Sequence, residues 1–404
     1  MKIFNDPVYG FISVPRGLPF EILEHPYFQR LRRIKQLGLT HYVYPGALHT
    51  RFAHALGALH LMSQAIDVLR SKGVAISEAE AEAVLCAILL HDIGHGPFSH
   101  ALEFRLVNVH HEELTVMFMQ ELNEQFNGRL ALAIEIFEDR YSRRFLHQLI
   151  SGQLDMDRLD YLTRDAFFTG VNEGVIGYDR IIKMLAVHDD RLVVEEKGIY
   201  SIERFLTARR LMYWQAYLHK TALCAEQMLI RVVIRAKELF EQGIEVKMSE
   251  SLAFFFKEKF DAAELVSRRK ELLHYFSRLD DIDIVTLLKE GVYHADPTFS
   301  FLSKGVINRR LYKVKQQSLP YESDFIEKLR QKARETFNLV EQEHLIDHYI
   351  IQIKESNSTY NVEKDEILIL YKNGTVAPAS EGTENYIQAG KVTRYYCCFP
   401  KEIS

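Results

Sequence analysis

Eight consecutive apolar residues, Ala83 to Leu90, run directly into His91-Asp92-Ile93-Gly94-His95-Gly96-Pro97-Phe98-Ser99-His100. Ahead of the run, Ser77-Glu78-Ala79-Glu80 has the form of a capping box, so a helix starts near Ser77 and ends at the His-Asp pair. A run apolar on every side has to be buried, which demands several partner helices. Gly94, Gly96 and Pro97 then force the chain to turn. Ionisable groups this dense beside an apolar core need partners, and adjacent His and Asp side chains at a helix end can bind one metal ion.

The remaining pattern is mostly helical. The first fifteen residues suggest a short hairpin. Helical periodicity begins near Pro19 and runs through Phe28, Leu31, Ile34 and Leu37 to a stop at Gly38. A second helix spans roughly residues 51–71, and helices continue to about Glu241, interrupted by a hairpin over residues 191–199 turning at Lys197-Gly198. Residues 248–290 are helical and charged. Residues 345–372 and 390–399 are β-rich, with turns at Asn373-Gly374 and near Gly382. The chain has 404 residues, more than one core usually serves. The expected architecture is mainly α: a helical core over residues 1–240, a helical extension with a regulatory strip over 241–330, and a smaller mixed α+β lobe over 331–404.

Composition narrows the function classes. With 47% apolar and 26% charged residues the chain reads as soluble and globular. A net charge of −5 implies no broad basic surface, so there is no strong case for nucleic acid. Cys86, Cys224, Cys397 and Cys398 form neither a zinc-type pair nor a disulfide framework, and vicinal Cys397-Cys398 is expected to be structural and reduced. No signal pattern opens the chain and no apolar run reaches membrane-spanning length, so the expected location is cytoplasmic.

A lone His-Asp dipeptide is weak evidence for a metal: His188-Asp189 is a second copy, and it reads as solvated surface. The first copy has company. His54 lies on the second helix, and Asp155, Asp157 and Asp160 lie in Leu154-Asp155-Met156-Asp157-Arg158-Leu159-Asp160-Tyr161. Asp157 and Asp160, three apart, share a helix face. One aspartate with His54, His91 and Asp92 makes a two-His, two-Asp site, and the spacing leaves open which. Imidazole plus carboxylate suits Mn, Fe, Co, Ni or Zn.

These residues, in this order, resemble the HD-domain metal-dependent phosphohydrolases. Phe28-Gln29-Arg30-Leu31-Arg32, Ile34-Lys35-Gln36-Leu37-Gly38, Tyr44-Pro45-Gly46-Ala47, Arg51-Phe52-Ala53-His54 and the His91–His100 decapeptide are similar to the deoxynucleoside triphosphate triphosphohydrolase branch. That branch includes the vertebrate sterile-alpha-motif-and-HD enzyme. No sterile-alpha-motif segment is seen here, so a stand-alone relative is expected. The likeness covers roughly residues 1–235 and thins to scattered motifs beyond.

The resemblance implies an HD-domain helical phosphohydrolase core with one divalent transition metal on His54, His91, Asp92 and Asp157, and admits an additional Mg with the substrate phosphates. Asp157 is preferred over Asp160 because it immediately precedes a basic residue and stands four before Tyr161. The family often has Lys where this chain has Arg158, a cation that reaches further and binds bidentately. The implied phosphate cations are Arg51, Arg158 and Arg209, with Lys35 left as surface. His95, His100 and His111 are the implied catalytic histidines. His111 is preferred over His110 because His-Glu matches the motif, and Glu103 is a candidate to orient a histidine. Gly94 and Gly96 let the backbone approach a ligand closely. Gln36, Tyr161, Asp165 and Tyr217 fall to the sugar, with the Tyr217 ring excluding a 2′-hydroxyl and Leu37 packing under sugar or base.

The reaction implied is hydrolysis of deoxynucleoside triphosphates to deoxynucleoside and inorganic triphosphate, in a homodimer or homotetramer that takes an activating nucleotide between subunits. Lys2, Gln29 and Arg32 match part of the regulatory pocket, and Arg310 lies in a matching C-terminal strip. One position departs: where the vertebrate enzyme reads guanine with an aspartate, this chain has His25 before Pro26, and histidine cannot accept two bonds from a guanine edge. The competing readings are an HD phosphohydrolase acting on nucleoside monophosphates or cyclic or signalling nucleotides, and a nucleotide-sensing or nucleic-acid-binding protein with vestigial chemistry.

Overall fold

The helix that leads to the His-Asp pair forms as its sequence dictates. Ser77 caps Glu78–Leu90: its hydroxyl accepts from the Glu80 N–H, and the Glu80 carboxylate accepts from the Ser77 N–H at 2.8 Å. Its apolar residues, from Ala83 through Leu90, are buried apart from the half-buried Leu85. The structure, a computed structural model, describes residues 1–358, 366–382 and 391–404, the side chains of His100, Ala262, Asn357, Ser358 and Lys391 excepted.

Two further helices complete the frame of the site. Arg51–Ser71, capped by Thr50, packs against both Glu78–Leu90 and Met156–Thr169. Asp155 caps the last of these by accepting from the Arg158 N–H. Gly57 is what lets Arg51–Ser71 and Met156–Thr169 approach, since a Cβ there would collide with the Asp160 carboxylate and the Arg164 guanidinium.

Three small sheets accompany the helices among the described residues. Strands β1 (Lys2–Asp6) and β2 (Gly10–Val14) form the expected N-terminal hairpin. Strands β3 (Leu185–His188) and β4 (Arg191–Glu195) join β7 (Leu368–Leu370) and β8 (Val376–Pro378) in the order β3-β4-β7-β8, with β4 and β7 parallel. Strands β5 (Lys313–Gln317), β6 (Ile351–Ser358) and β9 (Lys391–Phe399) pair antiparallel in the order β5-β9-β6. Ser323–Thr336 covers a second, smaller core containing Leu329, Cys397 and Phe399. All four cysteines are buried and free.

Two expectations need correction. The periodic run from Pro19 to Leu37 is not one helix. It breaks into Leu18–Glu24, Pro26–Gln29 and the 3-10 turn Arg30–Arg33, because the residue before Pro26 is held extended. The hairpin near residue 191 turns at Asp189-Asp190, both with positive φ, and not at Lys197-Gly198, which leads into Ile199–Met212. Aspartate tolerates the left-handed conformation a tight hairpin requires.

Glu80 does more than cap. Its carboxylate also accepts from Tyr141 at 3.1 Å and Arg143 at 2.9 Å. Burial pushes its pKa up, but Arg143 and Ser77 outweigh that and bring it down to about 2. A folded pKa below the unfolded value gives stability that is present above about pH 4.3 and lost as pH falls toward 2. Glu80→Gln is therefore expected to cost about 2 kcal/mol at pH 7, with the gap to wild type closing on acidification, as followed by urea unfolding at a series of pH values.

Candidate metal centre and catalytic cleft

His54, His91 and Asp157 arrive from three different helices or helix ends and meet at one point. The two Nε2 atoms are 3.1 Å apart, and Asp157 Oδ1 lies 3.1 Å from that of His54 and 3.4 Å from that of His91. Donors about 2.1 Å from a common ion would stand roughly 3 to 3.5 Å apart, so this spacing fits a metal centre. Both rings are turned by their other nitrogen. His54 Nδ1 faces Asp160 Oδ2 at 2.7 Å, and His91 Nδ1 faces the Ile88 carbonyl at 2.6 Å, so each Nε2 points inward as a lone-pair donor.

The three aspartates of one short segment thus separate into three roles. Asp157 faces the imidazoles, Asp160 sits behind His54, and Asp155 caps the helix and pairs with Arg158. The electrostatics favour a cation. Burial pulls His54 down, but Asp157 and Asp160 push it up to about 10. Burial likewise lowers His91, and Asp92 and Asp157 together more than offset it. Burial raises Asp157, yet His54 and His91 hold it well below the usual carboxylate range.

Asp92 stands beside the trio, its oxygens 3.5 Å from His91 Nε2 and 3.7 Å from His54 Nε2. It is shared: Arg51 donates to Oδ2, and His95 Nε2 lies 3.3 Å from Oδ1. Arg51 is buried and also donates to Ser99 Oγ at 2.8 Å. Burial, then Arg51, pushes His95 well below its ordinary value.

The His95 ring stacks on His111 at 4.0 Å. Gly94 allows this, although the approach is to protein and not to a ligand: a Cβ there would strike the backbone at His111 and Thr115, the start of His111–Gln125. Glu103 Oε1 lies 2.7 Å from His111 Nδ1 and also accepts the His111 N–H. His110 turns outward, its side chain 65% exposed. His95, Glu103 and His111 line a small cleft with Leu102, Leu114 and Phe276. The side chain of His100 lies outside the described residues.

Beside His54 of the trio stands an aromatic wall. Tyr161, one turn beyond Asp157, has its ring 6.5 Å from that of His54 and 6.3 Å from that of Tyr217. Tyr217 donates to Asp165 Oδ2 at 2.7 Å, and His49 Nε2 lies 2.7 Å from Asp165 Oδ1. A π-helical turn, Tyr213–Tyr217, sets the Tyr217 ring and adds Tyr213 beside it at 5.2 Å. Arg209 donates to Gln153 at 3.1 Å. Among the described residues, Gln36 Oε1, Arg158 Nε and Arg209 Nε are buried without a hydrogen-bond partner. Leu37 is half-buried next to Gln36.

The residues matched to a regulatory pocket divide. Lys2 pairs with Glu24 at 3.7 Å, Arg32 donates to Gln29 at 2.7 Å, and the Arg32 guanidinium covers the Phe52 ring at 3.5 Å. Arg310 is exposed after Pro297–Ile307, and no described contact joins it to that patch. Lys35 is not loose surface: it pairs with Asp281 at 3.7 Å and is 26% exposed.

Sequence reasoning missed Arg30, His49 and the positioning role of Asp160. Arg30 is fully buried and donates to the carbonyls of Ile93, His95 and Leu279, holding the His91–His95 turn in place. Only Asp160 carried a local signal, its three-residue spacing from Asp157.

Comparison with known proteins places this geometry. The sequence matches the HD domain family over residues 51–165 and an HD associated region over residues 176–251. A phosphohydrolase from Bacteroides thetaiotaomicron, solved by crystallography, superposes with a TM-score of 0.95 at 51% identity, covering 99% of this chain and 100% of that one. The uncharacterized protein YwfO of Bacillus subtilis is 33% identical over 318 residues, 77% of this chain and 71% of its own length. The deoxynucleoside triphosphate triphosphohydrolase SAMHD1 of Homo sapiens is 30% identical over 286 residues, 60% of this chain and 45% of its own length.

Proposed function

Since the chain belongs to the HD-domain phosphohydrolase family, we propose that it hydrolyses deoxynucleoside triphosphates to deoxynucleoside and inorganic triphosphate. The observation that carries this reading is the pairing of the His54–His91–Asp157 centre with the Tyr161, Tyr217 and Asp165 wall one helical turn away. The buried, unpartnered atoms of Gln36, Arg158 and Arg209, three of twelve such side-chain atoms among the described residues, are consistent with a polar ligand. The likeness to SAMHD1, named as a deoxynucleoside triphosphate triphosphohydrolase, points the same way.

The donor set fits a divalent transition metal, which His54, His91 and Asp157 would hold with Asp92 beside them. When bound it lowers the pKa of water and polarises a phosphoryl oxygen. In the reaction, a water oxygen joins the α-phosphorus, the bond to the 5′-oxygen breaks, and that oxygen takes a proton. Arg51, Arg158 and Arg209 neutralise the phosphates. His111, held by Glu103 and stacked on neutral His95, delivers the proton. Tyr217, fixed by Asp165, closes the space a 2′-hydroxyl would need. Gln36 and Leu37 bound the sugar. A homodimer or homotetramer with an activating nucleotide near Lys2, Gln29 and Arg32, and a cytoplasmic location, belong to the same proposal. No described helix is long and apolar enough to cross a membrane.

Product analysis tests it. The protein is incubated with each deoxynucleoside triphosphate, with ATP, with a nucleoside monophosphate and with a cyclic nucleotide, with Mn or Mg, with and without a second nucleotide, and products are resolved by ion exchange. Triphosphate and nucleoside from deoxy substrates alone are expected, with Arg158→Ala lowering kcat/KM about 100-fold. Cleavage of a monophosphate or cyclic nucleotide, with deoxynucleoside triphosphates untouched under every condition, would leave the metal centre standing and remove the sugar assignment.

A further inference from the structure

The metal ligand His54 is the end of a buried chain of charges that reaches the N-terminal hairpin. Asp160, behind His54 at 2.7 Å, takes a two-pronged bond from Arg164: Nε to Oδ2 at 2.9 Å and Nη2 to Oδ1 at 3.1 Å. The far edge of the same guanidinium donates to Asp6 Oδ2 at 2.8 Å. Asp160 and Arg164 are both 0% exposed. Asp6 ends β1, accepts from the N–H groups of Val8 and Tyr9 across the hairpin turn, and brings the Tyr9 ring under the guanidinium at 5.5 Å.

We infer that Asp6 and Arg164 are positioning residues of the metal site, and that the N-terminal hairpin thereby sets how tightly the metal is held. This rests on the metal reading above. A guanidinium shared between two carboxylates draws only part of its charge from Asp160, which keeps Asp160 a strong acceptor for the His54 Nδ1 proton and keeps His54 a good donor to metal. With Asp6 neutral, Arg164 leans on Asp160 alone, and His54 weakens as a ligand. The fork also locks the plane of the Asp160 carboxylate, which a lysine cannot do.

The test is metal affinity of the full chain, stripped of metal and titrated with Co(II) against a competing chelator, beside the melting temperature of the metal-free protein. Asp6→Asn retains the turn caps and removes the charge; affinity is expected to fall about 10-fold. Arg164→Lys is expected to fall at least as far, and Asp6→Glu to recover part of the loss. Phe11→Ser, on the outward face of the same hairpin and 71% exposed in the parent, is expected to keep wild-type affinity. Should Asp6→Asn not fold, Arg164→Lys and Asp6→Glu carry the same comparison. An unchanged affinity in the folded variants, with only the melting temperature lowered, overturns the inference, as does an equal loss in Phe11→Ser. A wild-type chain that binds no Co(II) overturns the metal reading itself, and this inference with it.

Discussion

Asp157→Ala is expected to lose both its metal and about 10³-fold or more of its hydrolytic rate. Among the described residues, Asp157 supplies the one carboxylate oxygen that lies within 3.4 Å of both inward imidazole nitrogens. Without it His54 and His91 face each other at 3.1 Å, and the neighbouring carboxylates are engaged elsewhere, Asp92 by Arg51 and Asp160 by Arg164. The measurement is metal content by mass spectrometry after dialysis, beside product release from a deoxynucleoside triphosphate. The second His-Asp dipeptide supplies the control. Asp189 is 90% exposed at a hairpin turn, so Asp189→Ala is expected to change neither metal content nor rate. An Asp157→Ala protein with a full complement of metal would move the fourth ligand to another carboxylate, and Asp160 is the nearest alternative on the same helix.

That distinction between Asp157 and Asp160 shows how far sequence reaches. Spacing places both on one face, and the likeness to the HD family prefers the first. What separates them physically is the rotation of Met156–Thr169 against Arg51–Ser71, set by the missing side chain at Gly57 and the buried Arg164. Neither has a local signature. The same holds for Arg30, which reads as one more basic residue in a periodic run. Its fully buried guanidinium binds carbonyls sixty-three, sixty-five and 249 residues away. Features fixed by neighbours along the chain were legible: the capping box at Ser77, the 51–71 helix and the N-terminal hairpin. The break at His25-Pro26 was also local, but apolar periodicity on both sides of it masked the effect of the proline. His49 had no signal at all; its partner Asp165 lies 116 residues on.

The second large effect is expected at His111. If this side chain protonates the departing 5′-oxygen, His111→Ala lowers kcat by about 10²- to 10⁴-fold and leaves KM little changed. His110→Ala, 65% exposed and turned outward, is expected to stay near wild type. Glu103→Gln keeps a hydrogen-bond acceptor for His111 Nδ1 but removes the charge that steadies the protonated ring, so a smaller loss, about 10-fold, is expected. The geometry around His111 suits two tasks, giving a proton and holding a phosphate, and the rate on the natural substrate alone does not separate them. A substrate whose leaving group is p-nitrophenolate does, because that anion departs without a proton. Proton donation predicts that the His111→Ala deficit shrinks to a few-fold on such an ester while the Arg158→Ala deficit stays. An equal deficit on both substrates would assign His111 to the phosphate and pass the proton to another group on the cleft, with His95, stacked 4.0 Å away, the first to mutate next.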